Sequence, residues 1–195
     1  MSNQKYEITD IAHEVYPFLH RIRALHDIGD EVKAGGLGGF VESENNLSFK
    51  QGDNAWIFDN AISCNNATVD EGSSLRGESI VCENACISGG TKLFDYARAE
   101  DYAHVCGGVI KDNARISDYA QILLSSDKTM HPTLSDSCIV YGTIGGNVRV
   151  EGQTVILRNE EIYNNNTSET LVIRESGRSI IRDPSRDMLT QHLAE

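Results

Sequence analysis

The side chains that could do chemistry near neutral pH are few and widely spread. Cys86 and His104 stand eighteen residues apart. A thiol beside an imidazole can be an activated nucleophile once a third group positions the base. Thr68 precedes Cys86 by eighteen residues and Gln121 follows His104 by seventeen, so no carboxylate joins this column. Cys64 and Cys82 repeat the spacing, with Glu100 next. Structural zinc takes four ligands. Each column offers two together, so no metal is expected. His131 lies elsewhere, in Leu124–Leu134, a segment that carries Pro132 and reads as a loop. An imidazole titrates near neutrality and suits a general base; a solvated loop histidine is the plainer reading. Ala34–Gly39 holds four glycines in six residues. It lacks the Lys-Ser/Thr ending of a phosphate-binding loop and the spacing of the dinucleotide fingerprint. A tight turn is expected there.

The elements that must position these residues come from a repeat running from Asp53 to Leu123. An aliphatic residue returns every six positions: Ile57, Val69, Leu75, Val81, Ile87, Leu93, Val105, then Ile110, Ile116 and Ile122 after a one-residue slip. Ser63 and Ala99 fill the two remaining slots, and a small residue stands two positions before every slot. A fixed short period marks a solenoid. Three hexads make a triangular coil of eighteen residues, and residues eighteen apart stack at roughly 4.8 Å. Asp59-Asn60, Asn65-Asn66, Asp95-Tyr96, Asp112-Asn113 and Asp118-Tyr119 fall where corners are needed. Asn and Asp tolerate turn and left-handed conformations. Gly107-Gly108 would absorb the slip. The spacing therefore predicts an all-β parallel β-helix.

The ends do not follow the hexad. Phe18–Leu25 reads as a strand with Ile22 and Ala24 on one face, and Glu31–Lys33 as its returning partner in a hairpin. After Leu123 the period resumes weakly at Ile139, Ile144, Val150 and Ile156, with Ser137, Gly142, Val148 and Thr154 as small partners. Glu160–Ser168 reads as a loop. Thr170–Arg174 and Arg178–Arg182 read as a hairpin, and Arg186–Leu193 as a short helix. The division is an N-terminal cap over 1–50, a β-helix over 51–158 with a loop at 124–134, and a C-terminal strand and helix cap over 159–195. A cap would shield the open strand edge.

The 195 residues carry a formal net charge of −12. Within 51–123 there are 5 Lys and Arg against 11 Asp and Glu, a balance of −6. Phosphate contacts need clustered cations, so direct nucleic-acid binding is not expected. No apolar run reaches membrane-spanning length, so no membrane is expected. Met1–Asp10 lacks the pattern of a secretory signal. Five cysteines, an odd count, then fit reduced thiols in a cytoplasmic protein.

A resemblance attaches to the run Ile22-Arg-Ala-Leu-His-Asp-Ile-Gly-Asp-Glu-Val-Lys-Ala-Gly-Gly-Leu-Gly-Gly-Phe-Val-Glu-Ser-Glu-Asn-Asn-Leu-Ser48, leading into Asp53-Asn-Ala-Trp-Ile57. It resembles the N-terminal signature of YdcK-type hexapeptide-repeat proteins, bacterial and phage proteins mostly labelled transferases. The resemblance implies a left-handed β-helix behind a small cap, and a homotrimer or homodimer. Fold does not settle function. Two expectations follow. The first is a non-catalytic acidic solenoid that binds a protein partner, as a phage inhibitor mimicking nucleic-acid charge would; it needs no cofactor. The alternative is a coenzyme-A-dependent acyltransferase using acetyl-coenzyme A, with His131, or else His104, as general base. No cofactor-binding residue is recognisable.

Overall fold

Every aliphatic slot from Ile57 to Ile122 is fully buried, as are Ser63 and Ala99, and the small residues two positions earlier line the same interior. Each buried Ile, Leu or Val contributes roughly 1.5–3 kcal/mol of transfer free energy. The structure is a computed structural model and describes residues 3–182. It is a parallel β-solenoid of about seven turns. Its three sides are sheets of nine, eight and six strands. Among the described residues no helix is long and apolar enough to cross a membrane.

Coils stack at the predicted interval. Trp56 pairs with Ser74 and Ser74 with Lys92; Ile62 with Ile80 and Ile80 with Arg98; Thr68 with Cys86 and Cys86 with His104. The following coil is one residue shorter, pairing Lys92 with Val109, Arg98 with Arg115 and His104 with Gln121. Gly107 and Gly108, with φ of 82° and 148°, turn that shortened corner. At the other corners the residue two places after a slot has positive φ, as at Asp59, Asn65, Glu71, Glu83, Asp95, Asp101, Asp112 and Asp118.

The N-terminal cap departs from the expected hairpin. Strands β1 (Tyr6–Ala12), β2 (His20–Ala24) and β3 (Leu37–Val41) run antiparallel in order. The partners of β2 are thus β1 and β3, and the Glu31–Lys33 segment supplies only an isolated bridge from Val32 to Ile28. The glycine run is half turn and half strand. Gly35 has φ of 84°, but Gly38 and Gly39 lie inside β3. A Cβ on Gly39 would lie 2.4 Å from the Ala61 carbonyl oxygen, and one on Gly38 2.6 Å from that of Ile57. These glycines let β3 press against the first coil, where it pairs in parallel with Ile62–Ser63.

Three readings beyond Leu123 are corrected. The chain re-enters the coil at Thr133–Leu134, paired with Val109–Ile110, and Leu134 is fully buried. The inward residue of the next strand is Val140, with Cys138 as its small partner; both are fully buried, and Ile139 faces outward. Val140 pairs with Ile116, which sets the face. Glu161–Asn164 is a strand paired with Thr143–Gly146, not loop. Glu169–Arg174 and Gly177–Arg182 form the expected hairpin. The predicted helix Arg186–Leu193 lies outside the described residues.

Candidate functional site

An inward slot leaves its two neighbours facing outward, so each side of the solenoid displays two columns of side chains. The three sides differ in chemistry. The six-stranded side carries Thr68, Cys86, His104 and Gln121 in one column. Ser88 and Cys106 stand in the other. The eight-stranded side is cationic and aromatic, with Arg76 over the Phe58 ring at 3.7 Å and Lys92 exposed. The nine-stranded side is largely apolar.

On the six-stranded side the register places Cys86 beside His104 on adjacent strands. His104 is exposed and Cys86 half-buried. Among the described residues no hydrogen bond joins them, and no carboxylate accepts from the His104 ring. Asp70 is an acid with a raised carboxyl that feels the His104 charge. Burial raises it, as does the Glu71 charge, while Lys50 and, more weakly, His104 pull it down. A neighbouring acid does not position an imidazole. The nucleophile reading therefore still lacks its third member. No group of three His, Cys, Asp or Glu among the described residues could hold a metal ion.

His131 sits apart from this column, exposed at the end of the loop that leaves the coil after Leu123. Its Nδ1 lies 3.3 Å from the Pro132 carbonyl oxygen. The loop is tied down by its own groups: the Ser125 hydroxyl and the Thr129 amide donate to Asp127. The Ser126 amide donates to Asn165. Cys64 and Cys82 stack on the nine-stranded side with Glu100 next to them. Burial first, then neighbouring acids, push Cys64 up to about 11; burial first, then Cys64 itself, pushes Cys82 up to about 12. Both thiols stay protonated at neutral pH, which disfavours nucleophilic use.

The feature that sequence reasoning missed is at the corners. Along one edge, the Asn65 amide donates to Glu42, Glu83 to Asn65, Asp101 to Glu83, and Asp118 to Asp101. Asp118 ends this row on Arg158. Along another edge, the Gly77 amide donates to Asp59, Asp112 to Asp95, Asp136 to Asp112, and Gly152 to Asp136. Each side chain thus caps the left-handed corner of the next coil. The Ser117 hydroxyl, then the Asp118 amide, hold the Asp101 carboxyl below its ordinary range. The signal was present in the sequence, as an acidic residue or Asn recurring two places after a slot.

A second missed residue is Lys5. Its Nζ is buried at the cap and donates to the carbonyls of Ser48 and Ala55 at 2.8 and 2.7 Å. Burial pulls its pKa down to about 8, against a smaller upward pull from Asp53. It borders an open cleft of about 970 Å³ that also touches Phe49, Asp53 and Asp70. Two of the three ammonium donors of this lysine are spent on backbone carbonyls, so it pins the start of β1 to the first coil.

Neither the models of known protein families nor the curated protein sequences match this chain.

Proposed function

We propose that this chain is a non-catalytic binding protein whose acidic solenoid docks against a basic protein surface. The groove of a nucleic-acid-handling protein is the natural target, and an inhibitor of phage type would use it so. The observation that supports this reading is the pair of rows along the corners, in which one carboxylate oxygen of each of Glu83, Asp101, Asp95 and Asp112 is held by a backbone amide of the next coil. Carboxylates fixed before binding lose little side-chain freedom when a partner's Lys and Arg arrive. Electrostatic steering would then speed encounter and weaken with salt. The test is competition with duplex DNA for basic DNA-binding proteins at about 50 and about 200 mM NaCl, a range over which phosphate-like contacts lose orders of magnitude in affinity. Binding indifferent to salt refutes the charge-mimic reading.

The second reading is a coenzyme-A-dependent acyltransferase, with His131 as base on its protruding loop, or else His104. The His-bearing insertion between two coils favours it. Titration calorimetry with acetyl-coenzyme A decides: no heat together with an unchanged melting temperature removes this reading.

A further inference from the structure

We infer that the cleft between the N-terminal cap and the first coil is a binding site for a neutral saccharide. This site is independent of whatever the acidic corners bind. Two cap segments, 4–5 and 26–28, meet the connection 44–54 and the first rung of the six-stranded sheet, 68–70. They enclose about 970 Å³, the size of a small-ligand site. Several polar groups on its walls have nothing to bind. Asp70 Oδ1 is buried and has no hydrogen-bond partner among the described residues. The other Asp70 oxygen is 3.9 Å from the Lys50 ammonium, beyond hydrogen-bond reach. Lys5 is 4% exposed, and its third N–H has no acceptor among the described residues. The side-chain amides of Gln4, Asn45, Gln51 and Asn54 are exposed along the same cleft and make no hydrogen bond among the described residues.

The balance of these groups selects the ligand. Each amide carries an acceptor oxygen and two donor hydrogens side by side. A sugar hydroxyl also donates and accepts at one atom, so neighbouring hydroxyls match such a wall. One hydroxyl can donate to Asp70 Oδ1, which has no other donor, and another can accept from Lys5. The half-buried Phe49 ring offers an apolar plate for the C–H face of the sugar ring. Other ligand classes fit less well. Two lysines stand against four carboxylates on the lining, which opposes a phosphate or carboxylate ligand. An apolar ligand would strip water from the amides and from Asp70 without replacing its hydrogen bonds. A lone cation would answer Asp70 but leave Lys5 and the amide donors unmatched.

A printed array of neutral and anionic mono- and oligosaccharides, probed with the full chain and an antibody against it, tests the inference. The expected result is binding to neutral glycans. Titration calorimetry with the best of them, free in solution, then compares the wild-type chain with Asp70→Ala. The substitution should raise the dissociation constant at least about tenfold, the cost of one hydrogen bond to a charged group. It should leave the melting temperature unchanged or higher, because it removes a buried oxygen that nothing in the chain satisfies. A merely structural Asp70 would give the reverse, a lower melting temperature with sugar affinity unchanged. Gln51→Ala, at an exposed amide that no fold contact uses, should weaken the same sugar with the fold intact. An array with no binding overturns the inference, as does binding confined to anionic glycans. Affinity indifferent to both Asp70→Ala and Gln51→Ala places the sugar elsewhere and overturns it too.

Discussion

Asn46→Ala should be among the most damaging single changes at a polar position. Asn46 is fully buried behind the 3-10 turn Glu44–Asn46. Its Nδ2 donates to the carbonyls of Asn65 and Ala67 at 3.0 and 2.9 Å. Its Oδ1 accepts from the amides of Glu42 and Ser43 at 3.2 and 2.8 Å. Alanine leaves two carbonyls and two amides without partners. Water can reach the outer ones, so the low end of the cost applies, about 1 kcal/mol per group and about 4 kcal/mol in all. For a domain of this size that lowers the melting temperature by about 8–16 °C. Urea unfolding followed by the fluorescence of Trp56, buried at the same junction and the single tryptophan, reads the loss directly. A loss below about 1 kcal/mol at unchanged m-value would refute the reasoning. Asn46→Asp gives a second check. It keeps the acceptor and aims a carboxylate oxygen at two carbonyls, so at neutral pH it should do no better than alanine.

Gly39→Ala should cost about 3 kcal/mol or prevent folding, because its Cβ would meet backbone at 2.4 Å; soluble yield and thermal unfolding measure it. Ser79→Ala should stabilise by about 1 kcal/mol, since the buried Ser79 hydroxyl has no hydrogen-bond partner among the described residues and alanine already fills most equivalent positions. Cys138 gives a pH signature. Burial above all raises its thiol from 9.0 to about 12, so the folded chain keeps a proton that the unfolded chain releases. That contribution to stability is complete below pH 9 and declines as pH rises toward 12. From pH 9 to pH 10 the wild-type chain should lose about 1 kcal/mol more than Cys138→Ala in paired urea melts.

The interior was legible because one geometric rule sets it. A six-residue period with a small residue two places ahead assigns every inward position from Ala55 to Ile122, and those positions are buried. The rule failed where the coil changes length. Between Arg115 and Ile139 the pairing interval grows to twenty-four residues from the seventeen of the coil before it. After a loop of unknown length the count of six has no anchor, so the spacing points to Ile139 although Val140 is the inward residue. Gly38 and Gly39 were misread for a different reason. Turn glycines and close-approach glycines look alike until the opposing backbone is known. The Cys86–His104 column followed from spacing alone, yet the side-chain contacts that would give it a role did not. The corner rows needed a second kind of arithmetic. Residue type alone makes Glu83 and Asp101 look like ordinary solvated acids; only their recurrence two places after a slot, set against the coil-to-coil stacking, brings each side chain to the amide of the next coil.

The strict eighteen-residue pairing between Trp56 and His104 has a consequence for how such a chain changes in length. This stretch is a one-dimensional lattice with a whole coil as its unit cell. Excising or duplicating one unit restores every neighbour, corner amide and inward slot. A smaller shift dislocates every layer beyond it, unless a glycine pair such as Gly107-Gly108 absorbs it. The height of the solenoid is thus a quantised variable, adjustable by tandem duplication or loss of a coil while both caps stay as they are.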